Sequence, residues 1–204
     1  VLTVSGKMSG VFDRYSQVMA EDGIPPEKLH LVDSLTNSGA EGLLARQAMR
    51  RLRDGWSGSQ LKTELESLRH RANILVSLPD LKAMADSGRI NRRVGQFLVK
   101  MGFLPLVTID RKGKGTVTGM AFSQKGNQKV LLARLRRAAV ESYAVVHASA
   151  PEQAEALANK LTNMLGKPPV YIAEISSVVT IFSGPGSLAV AWLSAEKTSK
   201  IKPN

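Results

Sequence analysis

Residues 28–55 read KLHLVDSLTNSGAEGLLARQAMRRLRDG, and two periodicities meet in them. The first part, KLHLVDS, alternates as a strand does and ends at Asp33-Ser34. After a short polar turn, Leu44, Ala48 and Leu52 recur at helical spacing and predict a helix over 39–53. Ser38 stands where an N-cap belongs, with Glu41 in capping-box spacing, and Gly55 stops the helix. Upstream, Val1–Val4 reads as a strand and Gly10–Met19 as a helix. Downstream, Ser57 or Ser59 opens a further helix that runs to about Arg69. Strand, helix, strand, helix is the pattern of a parallel α/β unit.

The texture changes at Asn73. NILVSL reads as a strand, PDLKAMADSG as a short helix stopped by Gly88, and INRRVGQFLVKMG as a helix ending at Gly102. LPLVTIDRKGKGTVTGMAF has the form of a hairpin around a glycine-lysine turn. A helix over 127–140 and the strand YAVVHA follow. The next helix has Ser149 and Glu152 in capping-box spacing, Pro151 in its first turn and Gly166 at its end. Two or three strands complete the chain. The last two, SSVVTI and LAVAWL, flank Phe182-Ser183-Gly184-Pro185-Gly186-Ser187, where Pro185 and Gly186 suit a type II hairpin turn. Residues 198–204 read as a frayed tail. The fold class is therefore α/β, a parallel segment over 1–70 joined to an α+β domain over 71–197 with an antiparallel-rich sheet.

The chain has 204 residues, a net charge of +11 and no cysteine. That excludes disulfides and thiolate metal sites. No apolar run approaches the ~18 residues of a membrane span, and the first residues lack a secretory signal. The cytoplasm is the default compartment. Val1 opens inside an apolar run, which points to a piece excised from a longer polypeptide. The basic residues are strewn over many segments; in the 39–53 helix the arginines fall opposite the apolar stripe, as on a solvated face. Aromatics are scarce and not interleaved with basic residues, so single-strand nucleic-acid binding is disfavoured. A basic surface for an acidic partner remains open.

His30, His70 and His147 lie far apart without metal-ligand spacing, which leaves no metal site and gives them structural roles. A hydrolase using Ser34 or Ser183 would need His147 beside one of them, and no nucleophile elbow is present. No phosphate loop occurs either. Serine-glycine pairs at strand ends, in VSGKMSG and FSGPGS, suit an anion held by hydroxyls and bare amides. Phe97, Leu98, Met101, Phe103 and Leu104 offer apolar surface nearby.

Taken in order, VLTVSGKMSGVF, LVDSLTNSGAEGLLARQAMRRLRDG, LPDLKAMADSGRI, FLPLVTIDRKGKG and FSGPGSLAV resemble the successive motifs of the DegV family of bacterial fatty-acid-binding proteins. The resemblance implies that residues 1–70 are the remainder of a Rossmann-like domain, that 71–197 form an α+β two-layer sandwich carrying the lipid pocket, and that family members continue upstream of Val1. It implies a non-catalytic protein without cofactor, which encloses a long-chain fatty acid and presents it to a separate dihydroxyacetone-kinase-like fatty acid kinase subunit. The carboxylate contacts it implies are Ser5, Gly6, Ser9, Gly10, Phe182 and Ser183. Gly184, Pro185 and Gly186 form the closing turn, and Phe97, Leu98, Met101, Phe103 and Leu104 form the acyl-chain pocket. Gly6 replaces the family's second serine, Val11 its threonine, and Phe182 the histidine that commonly precedes the turn; a phenyl ring donates no hydrogen bond. Arg89 matches a structural arginine and is a candidate contact for the kinase subunit. The alternative reading is a basic interaction or nucleic-acid-binding module that keeps the fold without the lipid.

Overall fold

The computed structural model describes residues 1–25, 27–79 and 81–195, with Val99 by its backbone alone. The expected tail over 198–204 lies outside the described residues. The chain begins as its alternation requires: β1 (Leu2–Thr3), α1 (Val11–Glu21), β2 (Val32–Asp33), α2 (Ser38–Arg53) and α3 (Gly58–Leu68). β1 and β2 pair in parallel, Leu2 with Val32 and Thr3 with Asp33.

The remaining strands form one six-stranded sheet. They are β3 (Ala72–Ser77), β4 (Leu104–Ile109), β5 (Gly115–Ala121), β6 (Val140–His147), β7 (Ile172–Glu174) and β8 (Leu188–Ser194), in the order β5-β4-β3-β8-β6-β7. Only β6 and β7 are parallel neighbours; the β4–β5 hairpin and the other pairs are antiparallel.

Both faces of this sheet are covered, so its central strands read as unbroken apolar runs. On one face Leu43 and Leu44 of α2 and Leu65 and Leu68 of α3 pack on Ile74, Val146 and Ala191. On the other, α6 (Gln124–Arg137) and α7 (Pro151–Leu165) bring Leu131, Leu135, Leu157 and Leu161 against Leu75, Val145 and Val190. A smaller core holds α4 (Lys82–Asp86) and α5 (Arg92–Lys100) through Leu81, Met84, Ile90 and Leu98. Residue 70, near which a division was anticipated, lies in the short 3-10 turn Arg69–Arg71, and α2 and α3 before it share a core with the large sheet after it.

Three local expectations are corrected. SSVVTI is not a strand. Residues Ser177–Ser183 form α8, and Phe182–Ser187 is a helix-to-strand turn rather than a hairpin, with Gly184 at φ 77° and Gly186 at φ 86°. That turn is tied to the neighbouring strand end, since Gly186 N donates to Ala148 O at 2.7 Å and Ala148 N to Ser187 O at 3.0 Å. The Ser38–Glu41 capping box does not form: Asn37 is the N-cap, and Ser38 is already the first helical residue, at φ 51°. Nor does the Ser149–Glu152 box, because Ala150 is the N-cap and Ser149 donates from N and Oγ to Glu174 Oε1. At α3, by contrast, Ser57 and Gln60 make the full reciprocal box.

Candidate functional site

An apolar cavity of about 430 Å³ lies on the β3–β4 part of the sheet, beneath the β1–α1 turn and α8. Strand alternation builds its floor: Ile74 and Val76 of β3 and Val107 and Ile109 of β4 share one face. Met8 and Val11 supply one wall, and Val178, Val179 and Phe182 of α8 another. The β-branched run that resembled a strand thus forms one side of the cavity. Its apolar residues recur at helical spacing, and tertiary packing overrides their weak helix propensity.

The polar lining is sparse. Arg89 carries its charge, and among the described lining residues none is acidic. The Arg89 guanidinium stands 4.5 Å over the Phe182 ring and donates through Nη1 to Ser87 O at 3.1 Å. A cation on an aromatic face contributes about 0.5–2 kcal/mol. It keeps the guanidinium at the cavity wall with further donors uncommitted. Ser183 is 7% exposed, and its Oγ accepts from Ser187 Oγ at 3.0 Å. Having accepted that bond, the Ser183 hydroxyl retains its own proton for an acceptor inside the cavity. Ser9 lines the opposite wall, where its Oγ accepts from Val11 N at 3.4 Å.

The structure brings Ser9, Phe182, Ser183 and Arg89 to the cavity and leaves the other anticipated contacts out. Ser5 is fully buried and donates from Oγ to Gly113 O at 2.7 Å, so it latches the β1–α1 turn to the β4–β5 turn. The Gly6 amide is already engaged by both Asp33 carboxylate oxygens at 3.2 Å. Gly10 is the residue before α1 and takes no part in the lining. Gly184, Pro185 and Gly186 set the direction of α8 relative to β8 and do not face the cavity either.

The residues anticipated for the acyl-chain pocket are likewise absent from the lining of this cavity. Phe97 and Met101 point outward, 61% and 52% exposed, while Leu98 is buried against α4. Phe103 stacks on Phe122 at 4.4 Å, and Leu104 pairs with Ala121 at the start of the β4–β5 ladder. The reason is helical geometry: successive residues turn about 100°, so a run that looks continuous in sequence splits between a core face and a solvent face. The residues that do line the cavity, Ile74, Val76, Val107 and Ile109, carried a readable signal in their alternation. What the alternation lacked was any indication of where along the sheet the covering helices leave a gap.

The reading of a serine hydrolase assisted by His147 finds no dyad among the described residues. Ser34 Oγ donates to Thr36 O at 3.1 Å and Ser183 is bonded to Ser187, while His147 Nδ1 accepts from Ala150 N at 3.3 Å. No dyad links His147 to either serine. Among the described residues no three His, Asp or Glu side chains cluster as a metal site would require. Nor, among those residues, is any helix long and apolar enough to cross a membrane.

Known proteins share this fold. A DegV domain-containing protein of Streptococcus pyogenes serotype M1 is 20% identical over 200 residues, which is 94% of this chain and 70% of the relative. Among solved structures, the Fak B3 protein of the Streptococcus pneumoniae fatty acid kinase, loaded with linoleic acid, superposes with a TM-score of 0.84 at 16% identity. That match covers 95% of this chain and 70% of the other. A DegV family protein from Eubacterium eligens, loaded with heptadecanoic acid, superposes with a TM-score of 0.81 at 18% identity, covering 96% and 72%. At these identities the superpositions establish the fold. The model of the DegV family of uncharacterised proteins matches residues 1–195, and with the mixed α/β fold and its cavity this places the chain in the DegV family.

Proposed function

We propose that the cavity holds the hydrocarbon tail of a long-chain fatty acid, with the carboxylate at the Arg89–Phe182–Ser183 end. The chain is on this reading a cytoplasmic carrier without catalysis of its own, which presents the acid to a separate kinase subunit. The observation that carries the proposal is an apolar cavity among whose described lining residues none is acidic, with one guanidinium and one uncommitted buried hydroxyl in its wall. A hydrocarbon tail fits the apolar floor, and an anion suits the Arg89 guanidinium in its wall. Solved relatives that hold linoleic and heptadecanoic acid in the same fold support the ligand class. Burial supplies most of the affinity. Each methylene removed from water contributes about 0.8 kcal/mol, or on the order of 10 kcal/mol for a sixteen-carbon tail before ordering costs.

The test is direct. Organic extraction of the purified protein followed by mass spectrometry should yield acyl chains in stoichiometric amount, and added fatty acid should displace a fluorescent analogue. Absence of both would refute the carrier reading.

A further inference from the structure

Two hollows lie end to end along β3 and β4. Beyond the apolar cavity is a second one of about 490 Å³, bounded by polar groups that include Arg69, Asn73, Asp110 and Arg111. Ile74 and Ile109 line both. Leu75 pairs with Thr108, which sets Ile74 and Ile109 opposite each other on adjacent strands and on the face shared with Val76 and Val107. The polar boundary residues precede Ile74 in sequence and follow Ile109. Val76 and Val107, which line the apolar cavity, lie on the other side of the pair. The Ser183–Ser187 pair stands just before β8, whose first residue, Leu188, pairs with Ser77. The pair of isoleucines is therefore about 10 Å farther along β3, at ~3.3 Å per residue, so a sixteen-carbon tail meets it only by bending within the cavity.

We infer that Ile74 and Ile109 are the wall at which the methyl end of the ligand stops, and that they determine the acyl-chain length this protein accepts. This rests on reading the cavity as an acyl-chain site. In front of the wall every added methylene is buried and tightens binding about fourfold. Past it lie Asp110 and three arginines, Arg69, Arg71 and Arg111, whose hydration a hydrocarbon would displace without compensation. Affinity should thus rise with chain length and then break.

The inference is tested at Ile109, which is only partly buried, whereas Ile74 is 1% exposed and belongs to the core. Affinities for a homologous series of saturated fatty acids are measured by displacement of a fluorescent analogue from the whole protein. Thermal unfolding is recorded for each variant to show that it is folded. Ile109→Ala should move the break to acids longer by about two carbons, Ile109→Phe should move it to shorter ones by a similar step, and Ile109→Val should act as a weaker Ile109→Ala. Folded variants with an unmoved break would overturn the inference and leave the cavity reading standing. An unsubstituted protein that binds no member of the series would overturn the cavity reading and the inference with it.

Discussion

A phenylalanine at position 182 changes what the acid end can offer. An imidazole there could donate to a carboxylate directly; the phenyl ring instead supports the Arg89 guanidinium from below. On the proposed reading the direct donor is Ser183, one residue on, whose hydroxyl Ser187 orients by donating to it. Ser183→Ala should therefore weaken fatty-acid binding by about tenfold, the scale of one hydrogen bond to a charged group. Binding of the methyl ester of the same chain should fall by less than about threefold, because the acceptor there is neutral. Equal losses for acid and ester, measured by displacement titration, would remove Ser183 from the carboxylate site. The serine was visible in sequence because it abuts a glycine-proline-glycine turn. The exclusion of Ser5 and Gly6 was not. Their polar groups have the right chemistry for an anion, but Gly113 O and the Asp33 carboxylate engage them first, and both partners are remote in sequence.

At the scale of elements, the approach of α2 to the sheet depends on small residues. Gly39 in its first turn faces the sheet, where an added Cβ would come within 3.0 Å of Ala191 Cβ and 3.2 Å of Val146 Cγ1. Ala191 belongs to a central strand and has no side-chain freedom to yield. Gly39→Val should thus destabilise the protein by about 2–3 kcal/mol through overpacking, against a helix-propensity gain of only a few tenths. Gly10→Ala, with nothing within 4 Å of the new Cβ, should be close to neutral. Chemical denaturation of both variants checks the pair, and similar midpoints would mean that α2 can slide away from the sheet. The same elements show what a sequence can disclose. The β4–β5 hairpin, α3 with its capping box and α7 ending on Gly166 each carry their determinants within a few residues, and they fold as their patterns predict. The helix α8 does not, because its β-branched residues favour a strand locally. Its helical state depends on placing Val178, Val179 and Phe182 over a cavity whose floor comes from residues 74–109. Capping at Ser38 and Ser149 fails for a related reason: helix starts are set by where the chain leaves the preceding strand, one residue away from where the motif points.

For the whole molecule, a net charge of +11 first raises the prospect of a polyanion partner. The structure disperses that charge. Exposed Arg46, Arg50 and Arg53 lie on α2 and exposed Arg136 and Arg137 on α6, and these helices cover opposite faces of the sheet. These five residues are thus split between the two faces rather than gathered on one. The same excess bears on how stability responds to pH. Acidification adds positive charge to a molecule already positive, and that alone should destabilise the fold. Glu41 opposes it. Burial first, and then the neighbouring Asp33 carboxylate, push its pKa up from 4.5 to about 7. The folded state therefore holds a proton that the unfolded state has released at any pH between those values. By linkage the stabilisation from neutral Glu41 is complete below about pH 4.5 and is lost as pH rises through about 7. Stability should accordingly fall between about pH 5 and 8, by on the order of 2 kcal/mol once partial solvent screening is allowed for. Glu41→Gln, which is neutral at every pH, should flatten this slope and make the variant the more stable protein at pH 8. Urea midpoints at pH 5, 6, 7 and 8 distinguish the outcomes. A profile for Glu41→Gln parallel to that of the unsubstituted chain would show that Glu41 ionises in the folded state as freely as it does in water.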